Sequence, residues 1–198
     1  MNVRHDPPVD YRIAEPQPGM AVPEDVFWAW LDAQEGKFEY DRGTISMMVR
    51  VTRNHSLLVA RFVSLLDRRL EGQPYEVHAE AFGVRAERSI RFPDVLVQRP
   101  EEDGGALEAK TPLVIVEVLS PSSIYADHVI KRDEYLDLPS LQAYVVAEAD
   151  APKLTLWERG PGGEFPFAPV EIEGRDSELR LSGLGVTLPL AELYRGIS

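Results

Sequence analysis

Apolar residues recur along this chain first with a helical period and then with the period of strands. After Pro23-Glu24-Asp25, the run VFWAWLDAQ sets Phe27, Trp30 and Leu31 at i, i+3 and i+4, with acids in the first turn and Gly36 as a stop. KFEYDRGTISMMV then gives two short β-prone runs around Asp41-Arg42-Gly43, a hairpin with a positive φ expected at Gly43. From Asn54 to Glu71 the 3.6-residue period returns. Leu58, Phe62, Leu65 and Leu66 share one face, with Asn54 as the expected cap and Gly72 as the stop. YEVHAEAF, RFPDVLVQ and PLVIVEVL read as three strands, the last apolar on both faces and therefore central. A helix from about Ser123 to Leu138, capped by a serine, precedes two more strands, QAYVVAEA and KLTLWER, and a last helical turn at LAELYRG. The order predicts an α/β fold, a mixed β-sheet flanked by helices, as a single domain over residues 23–198. An extended arm, residues 1–22, holds Pro7, Pro8, Pro16 and Pro18 and precedes it.

One residue breaks the apolar pattern. Glu117 sits among Leu113, Val114, Ile115, Val116, Val118 and Leu119, and an ionised carboxylate taken out of water costs several kcal/mol unless something pairs with it. Asp94, directly after Pro93, lies on the neighbouring expected strand. If those strands pair, the two carboxylates converge at about the spacing that a divalent cation bridges, and the cation supplies the missing charge. The helix after Glu117 adds Asp127, Lys131 and Tyr135 at i, i+4 and i+8, one stripe of its surface. Lys131 is one of four lysines in a chain with seventeen arginines, and a lysine, unlike an arginine, can lose its proton in a shifted environment. The plainer alternative is an exposed Asp–Lys pair on a solvated helix.

Composition narrows the chemistry. The chain has no cysteine, which removes disulfides, thiolate metal sites and a cysteine nucleophile, and oxygen donors favour Mg²⁺ or Mn²⁺. No window approaches the roughly 20 apolar residues of a membrane span, and the first residues lack the apolar run of a secretory signal. The expectation is a cytoplasmic protein with no membrane partner. A formal charge of −12 argues against a simple nucleic-acid coat. Yet from Arg42 to Arg99 ten arginines meet six acids, a net +4 that leaves −16 on the rest. That segment forms either a locally basic face or an ordinary solvated arginine surface.

The string PDV, then VEVLSPSS, then the spaced Asp, Lys and Tyr, preceded by FEYDRGTI and NHSLLVARF, resembles the Uma-type restriction endonuclease family. This is a bacterial group within the PD-(D/E)XK nuclease superfamily, and the likeness runs from about Val22 to Leu193. It implies a restriction-endonuclease-like fold and metal-dependent hydrolysis of phosphodiester bonds in DNA. By position, Asp94 is the aspartate of the PD pair and Glu117 the acid of the second half-motif. The usual lysine position, two residues after that acid, holds Leu119, and Lys131 on the following helix takes the matching place. Glu39 matches a family acid that completes the metal shell, and His55 a family histidine, although a solvated hairpin acid and a helix-capping histidine are the bland alternatives.

The implied site therefore holds Mg²⁺ or Mn²⁺ on Asp94, Glu117 and the Val118 carbonyl, with Glu39 near or through a water, and uses Lys131 as the working cation. His55, Asp127 and Tyr135 are accessory, and Arg50, Arg53, Arg61, Arg68 and Arg69 are candidates for the DNA backbone. A homodimer would suit cutting of both strands of a duplex. The rival expectation is a nuclease-like fold that no longer cuts and serves as a DNA-binding or protein-interaction module.

Overall fold

The computed structural model describes residues 16–34, 38–47, 51–79, 82–119 and 125–197, the side chains of 125–128 excepted. The elements in chain order are α1 (Glu24–Leu31), β1 (Phe38–Asp41), β2 (Thr44–Met47), α2 (Arg53–Arg69), β3 (Glu76–Ala79), β4 (Gly83–Arg85), β5 (Ser89–Arg91) and β6 (Val95–Gln98). They continue with β7 (Glu108–Ala109), β8 (Pro112–Leu119), α3 (Tyr125–Leu136), β9 (Ala143–Glu148), β10 (Lys153–Glu158), β11 (Val170–Glu173), β12 (Glu178–Leu181), β13 (Val186–Pro189) and α4 (Leu190–Leu193).

The apolar run of β8 becomes a central strand, as its lack of a polar face requires. It pairs antiparallel with β6 and parallel with β9 in a six-stranded sheet of order β11-β10-β9-β8-β6-β3, and α3 makes the crossover from β8 to β9. Val114, Val116 and Val118 point to one side, into the main core beneath α2, where Leu58, Phe62, Leu65 and Leu66 are buried. Ile115 points to the other side and joins Leu96, Tyr135 and Tyr144 under α3. Each large aliphatic side chain sealed in these layers contributes roughly 1.5–3 kcal/mol of transfer free energy.

The expected strand RFPDVLVQ is two strands in two sheets. Ser89–Arg91 belongs to a five-stranded sheet of order β2-β1-β5-β4-β7, and Val95–Gln98 to the six-stranded one. Pro93 supplies the reason: without an N–H it cannot continue a ladder, so the chain turns there. Asp94 consequently stands at the corner between the sheets rather than inside a strand. The smaller sheet has its own core of Phe27, Phe38, Tyr40, Ile45, Ile90 and Phe92.

The hairpin falls where expected. Arg42 and Gly43 both have positive φ, 46° and 92°, in a two-residue turn closed by the Asp41 and Thr44 pair. The cap of α2 differs from expectation: the Thr52 side chain, not Asn54, accepts the His55 N–H at 3.2 Å. Asn54 instead donates its amide to Asp150 at 2.8 Å. The end of the expected arm is docked, since Gly19 and Val22 donate backbone hydrogen bonds to Ile45 and Gly43 along β2. The expected stop at Gly36 and the serine cap before α3 lie outside the described residues. Among the described residues no helix is long and apolar enough to cross a membrane.

Candidate active site

Where the two sheets meet under α3, four ionisable side chains from distant parts of the chain come together in nearly dry surroundings. Glu39 on β1, Asp94 before β6, Glu117 on β8 and Lys131 on α3 are 5%, 8%, 6% and 7% exposed. Burial at this level excludes the bland readings of a solvated hairpin acid at Glu39 and a solvated pair at Lys131. Each side chain reaches the corner for a local reason. Glu117 follows Ile115 in the alternation of β8, so it faces α3 and not α2. Lys131 and Tyr135 are one helical turn apart on the face of α3 that covers it.

The contacts are specific. The Tyr135 hydroxyl donates to Glu117 Oε1 at 2.9 Å, and Lys131 Nζ stands 4.0 Å from the same oxygen. Lys131 Nζ donates to Glu39 Oε1 at 3.0 Å. Asp94 Oδ2 accepts the Val118 N–H at 2.6 Å and lies 3.3 Å from His55 Nε2. A strand residue directs its N–H and C=O to the same side, so the Val118 carbonyl faces the side on which Asp94 lies. Leu119 ends β8, and the ammonium beside Glu117 comes from α3.

Electrostatics single out Glu117. Burial pushes its carboxyl up to about 8. The Lys131 charge opposes the shift, Asp94 and Glu39 add to it, and the Tyr135 hydrogen bond works against it. Glu117 is thus an acid short of positive charge. Burial and the neighbouring Glu117 raise Tyr135 well above the ordinary tyrosine value, so its hydroxyl stays protonated and donating.

Two further residues, absent from the expected site, belong to the corner. Arg91 on β5 is 1% exposed and holds Glu39, Asp41 and Glu134 at 3.5, 3.0 and 2.9 Å. Glu134, on α3, also accepts the Ser89 hydroxyl at 2.7 Å. The visible signal was a strand arginine flanked by Ile90 and Phe92, one of ten in a basic segment.

The remaining expected residues scatter. Arg53 is at the start of α2, reaching the Gly196 carbonyl at 3.4 Å. Arg61 donates to the Glu192 carbonyl at 3.2 Å, and Arg68 and Arg69 lie 3.9 and 3.7 Å from the Glu192 carboxylate. His55 is in the first turn of α2 and Arg68 in its last, about 20 Å apart along the axis, so the latter group does not line the corner. Arg50 and the Asp127 side chain fall outside what the structure describes. Among the described residues no three His, Asp or Glu side chains form a group that could hold a metal ion.

The fold is mixed, helix-flanked α/β, with buried carboxylates and a lysine at the corner of its sheets. A sequence profile of the family described as "Putative restriction endonuclease" (Uma2) matches residues 24–191, and the chain belongs to that family. It is 27% identical over 179 residues to "Uncharacterized protein slr1290" of Synechocystis sp., covering 89% of this chain and 92% of that one. Its fold matches a crystal structure described as "a putative nuclease belonging to DUF820" from Anabaena variabilis, with a TM-score of 0.68, 16% identity, and coverage of 81% of this chain and 91% of the other.

Proposed function

We propose that this protein is a Mg²⁺- or Mn²⁺-dependent endonuclease that hydrolyses phosphodiester bonds in DNA, with Asp94, Glu117 and Lys131 at its centre. One observation carries the reading: in a member of a restriction endonuclease family, the buried Glu117 is left short of positive charge beside Asp94. The donors suit a hard cation, being two carboxylates and the Val118 carbonyl without a thiolate. Mg²⁺ is commonly held by one or two carboxylates and keeps several waters, so two acids suffice. When bound, the ion would polarise a phosphoryl oxygen and lower the pKa of a water.

The chain's own groups do the rest. The Val118 N–H and the His55 ring fix Asp94, and Tyr135 fixes Glu117. Lys131 places a donor and a positive charge next to Glu117, where it orients the attacking water or bears charge developing on phosphorus. Arg53, beside His55, and Arg61, Arg68 and Arg69, farther along α2, bind backbone phosphates without reading sequence. Cleavage of both strands would employ two copies related by a twofold axis.

Plasmid nicking with Mg²⁺ and with Mn²⁺ tests the reading. The expected result is conversion of supercoiled plasmid that stops on chelation and is lost in Asp94→Ala and Glu117→Ala. Equal nicking by wild type and both variants would remove the assignment, and metal binding without any cleavage would favour a binding module.

A further inference from the structure

Glu39 differs from the other two acids in how its oxygens are used. Oε1 accepts from Lys131 Nζ at 3.0 Å and from the Phe92 N–H at 3.4 Å, and Oε2 accepts from Arg91 Nη1 at 3.5 Å. Both oxygens therefore serve side-chain cations already. Arg91 in turn grips α3: its Nε donates to Glu134 Oε2 at 2.9 Å and its Nη2 to Glu134 Oε1 at 3.3 Å. Nη2 also donates to Asp41 Oδ1 at 3.0 Å. Glu134 is one helical turn after Lys131. Arg91 thus touches the Lys131 pair from both ends, through the partner carboxylate and through the helix that carries the lysine.

We propose that Glu39 is a positioning residue for Lys131 and not a metal ligand, and that Arg91 is the residue that sets Glu39. The inference rests on the nuclease reading for its catalytic meaning, though not for its geometry. A carboxylate balanced by two cations has little charge left for a third, whereas Glu117, with a hydroxyl donor and the ammonium only at 4.0 Å, has. Only a permanently charged fork can bind three carboxylates from two elements at once. A lysine at position 91 would supply the charge as a single point and could not hold Glu39 and Glu134 together.

The test measures Mn²⁺ binding by calorimetry and the Lys131 side-chain ammonium signal by NMR of protein labelled with ¹⁵N-lysine, in wild type, Glu39→Gln, Arg91→Lys and Asp94→Asn. With four lysines in the chain the signals are assignable by substitution. The expected result is Mn²⁺ affinity within about threefold of wild type in Glu39→Gln and Arg91→Lys, and at least about tenfold weaker in Asp94→Asn. Both relay variants should shift and broaden the Lys131 signal and lower kcat at saturating Mn²⁺ by about tenfold or more, with KM for DNA unchanged. Loss of Mn²⁺ affinity in Glu39→Gln equal to that in Asp94→Asn would make Glu39 a ligand and overturn the proposal. An unchanged Lys131 signal in the relay variants would also overturn it. If wild type binds no Mn²⁺ and cuts nothing, the nuclease reading fails while the relay still stands or falls on the Lys131 signal. Should Arg91→Lys not fold, Glu39→Gln carries both measurements.

Discussion

The two faces of β8 are built to opposite rules. Toward α2 it offers Val114, Val116 and Val118 to the main apolar core. Toward α3 it offers Ile115 and then Glu117, which meets Tyr135, Lys131 and the neighbouring acids Asp94 and Glu39. The first face stabilises the fold by removing apolar area from water. The second gives some of that stability up, because burial presses Glu117 toward its neutral form. One strand can do both since its side chains alternate, and the comparison separates what holds the protein together from what it is held together for.

The largest expected effects lie on the α3 face and concern activity alone. Glu117→Gln and Asp94→Asn should each lower metal-dependent cleavage about 10³-fold or more, corresponding to several kcal/mol of lost transition-state stabilisation. Circular dichroism and melting should show Glu117→Gln folded and no less stable than wild type at pH 8, since the amide removes a carboxyl lacking its counter-charge. A Glu117→Gln protein that melts early while cutting at the wild-type rate would reverse the roles assigned to the two faces.

On the α2 face the signs exchange. Phe62 is fully buried in the main core, and Phe62→Ala should cost about 3–5 kcal/mol in denaturant unfolding. Cleavage per folded molecule should stay within about twofold of wild type, because sites that share no contacts behave independently. A fall in specific activity matching the loss at Glu117 would show that the core face also shapes the site.

Much of this contrast was legible in the sequence, and the exceptions have physical causes. The carboxylate in an apolar run identified Glu117 because a charge in a strand without a polar face has no solvent to turn to. The i, i+4 spacing of Lys131 and Tyr135 survived folding since helix periodicity is local. The split at Pro93 shows in the sequence only as a missing N–H inside an otherwise continuous apolar run. Thr52 displaced Asn54 as cap by a shift of two residues, the usual scale of uncertainty at a helix end. Arg91 and Glu134 are 43 residues apart, and no local pattern says that a strand arginine and a helix acid will share a buried corner. The arginines of α2 were legible only as a basic segment: the helix carries Arg61, Arg68 and Arg69 along its length away from the corner, beside Glu192.

A smaller and more selective effect is expected with pH. The folded Glu117 holds its proton up to about 8, against an ordinary value of 4.5. From about pH 4.5 upward the unfolded chain therefore binds fewer protons than the folded one, and metal-free stability falls until about pH 8, above which this group adds no further change. The loss is on the order of a few kcal/mol. Asp41 acts elsewhere: although partial burial opposes it, Arg42 and Arg91 hold it below its ordinary 3.8, so its contribution is lost only as pH falls through that acid range. Melting curves of wild type and Glu117→Gln from pH 5 to pH 9 isolate the first effect. The variant should lack the decline, and Mn²⁺ should remove it from wild type; parallel curves for the two proteins would mean that Glu117 titrates normally.

Tyr135→Phe should give the smallest effect. The substitution deletes a hydroxyl and leaves the ring packed against Tyr144, so it removes one hydrogen bond without opening a cavity, worth about 1 kcal/mol. That bond favours the charged form of Glu117, and its loss raises the Glu117 value further. The pH-linked decline in stability should therefore extend to higher pH, and cleavage near neutrality should fall by less than about tenfold, recovering as pH rises. Tyr135 itself cannot serve as a base, because burial and Glu117 keep it protonated. If Tyr135→Phe instead abolishes cleavage at every pH as completely as Asp94→Asn, the hydroxyl takes part in the reaction directly, and the division between groups that hold Glu117 and groups that act on substrate has to be redrawn through Tyr135.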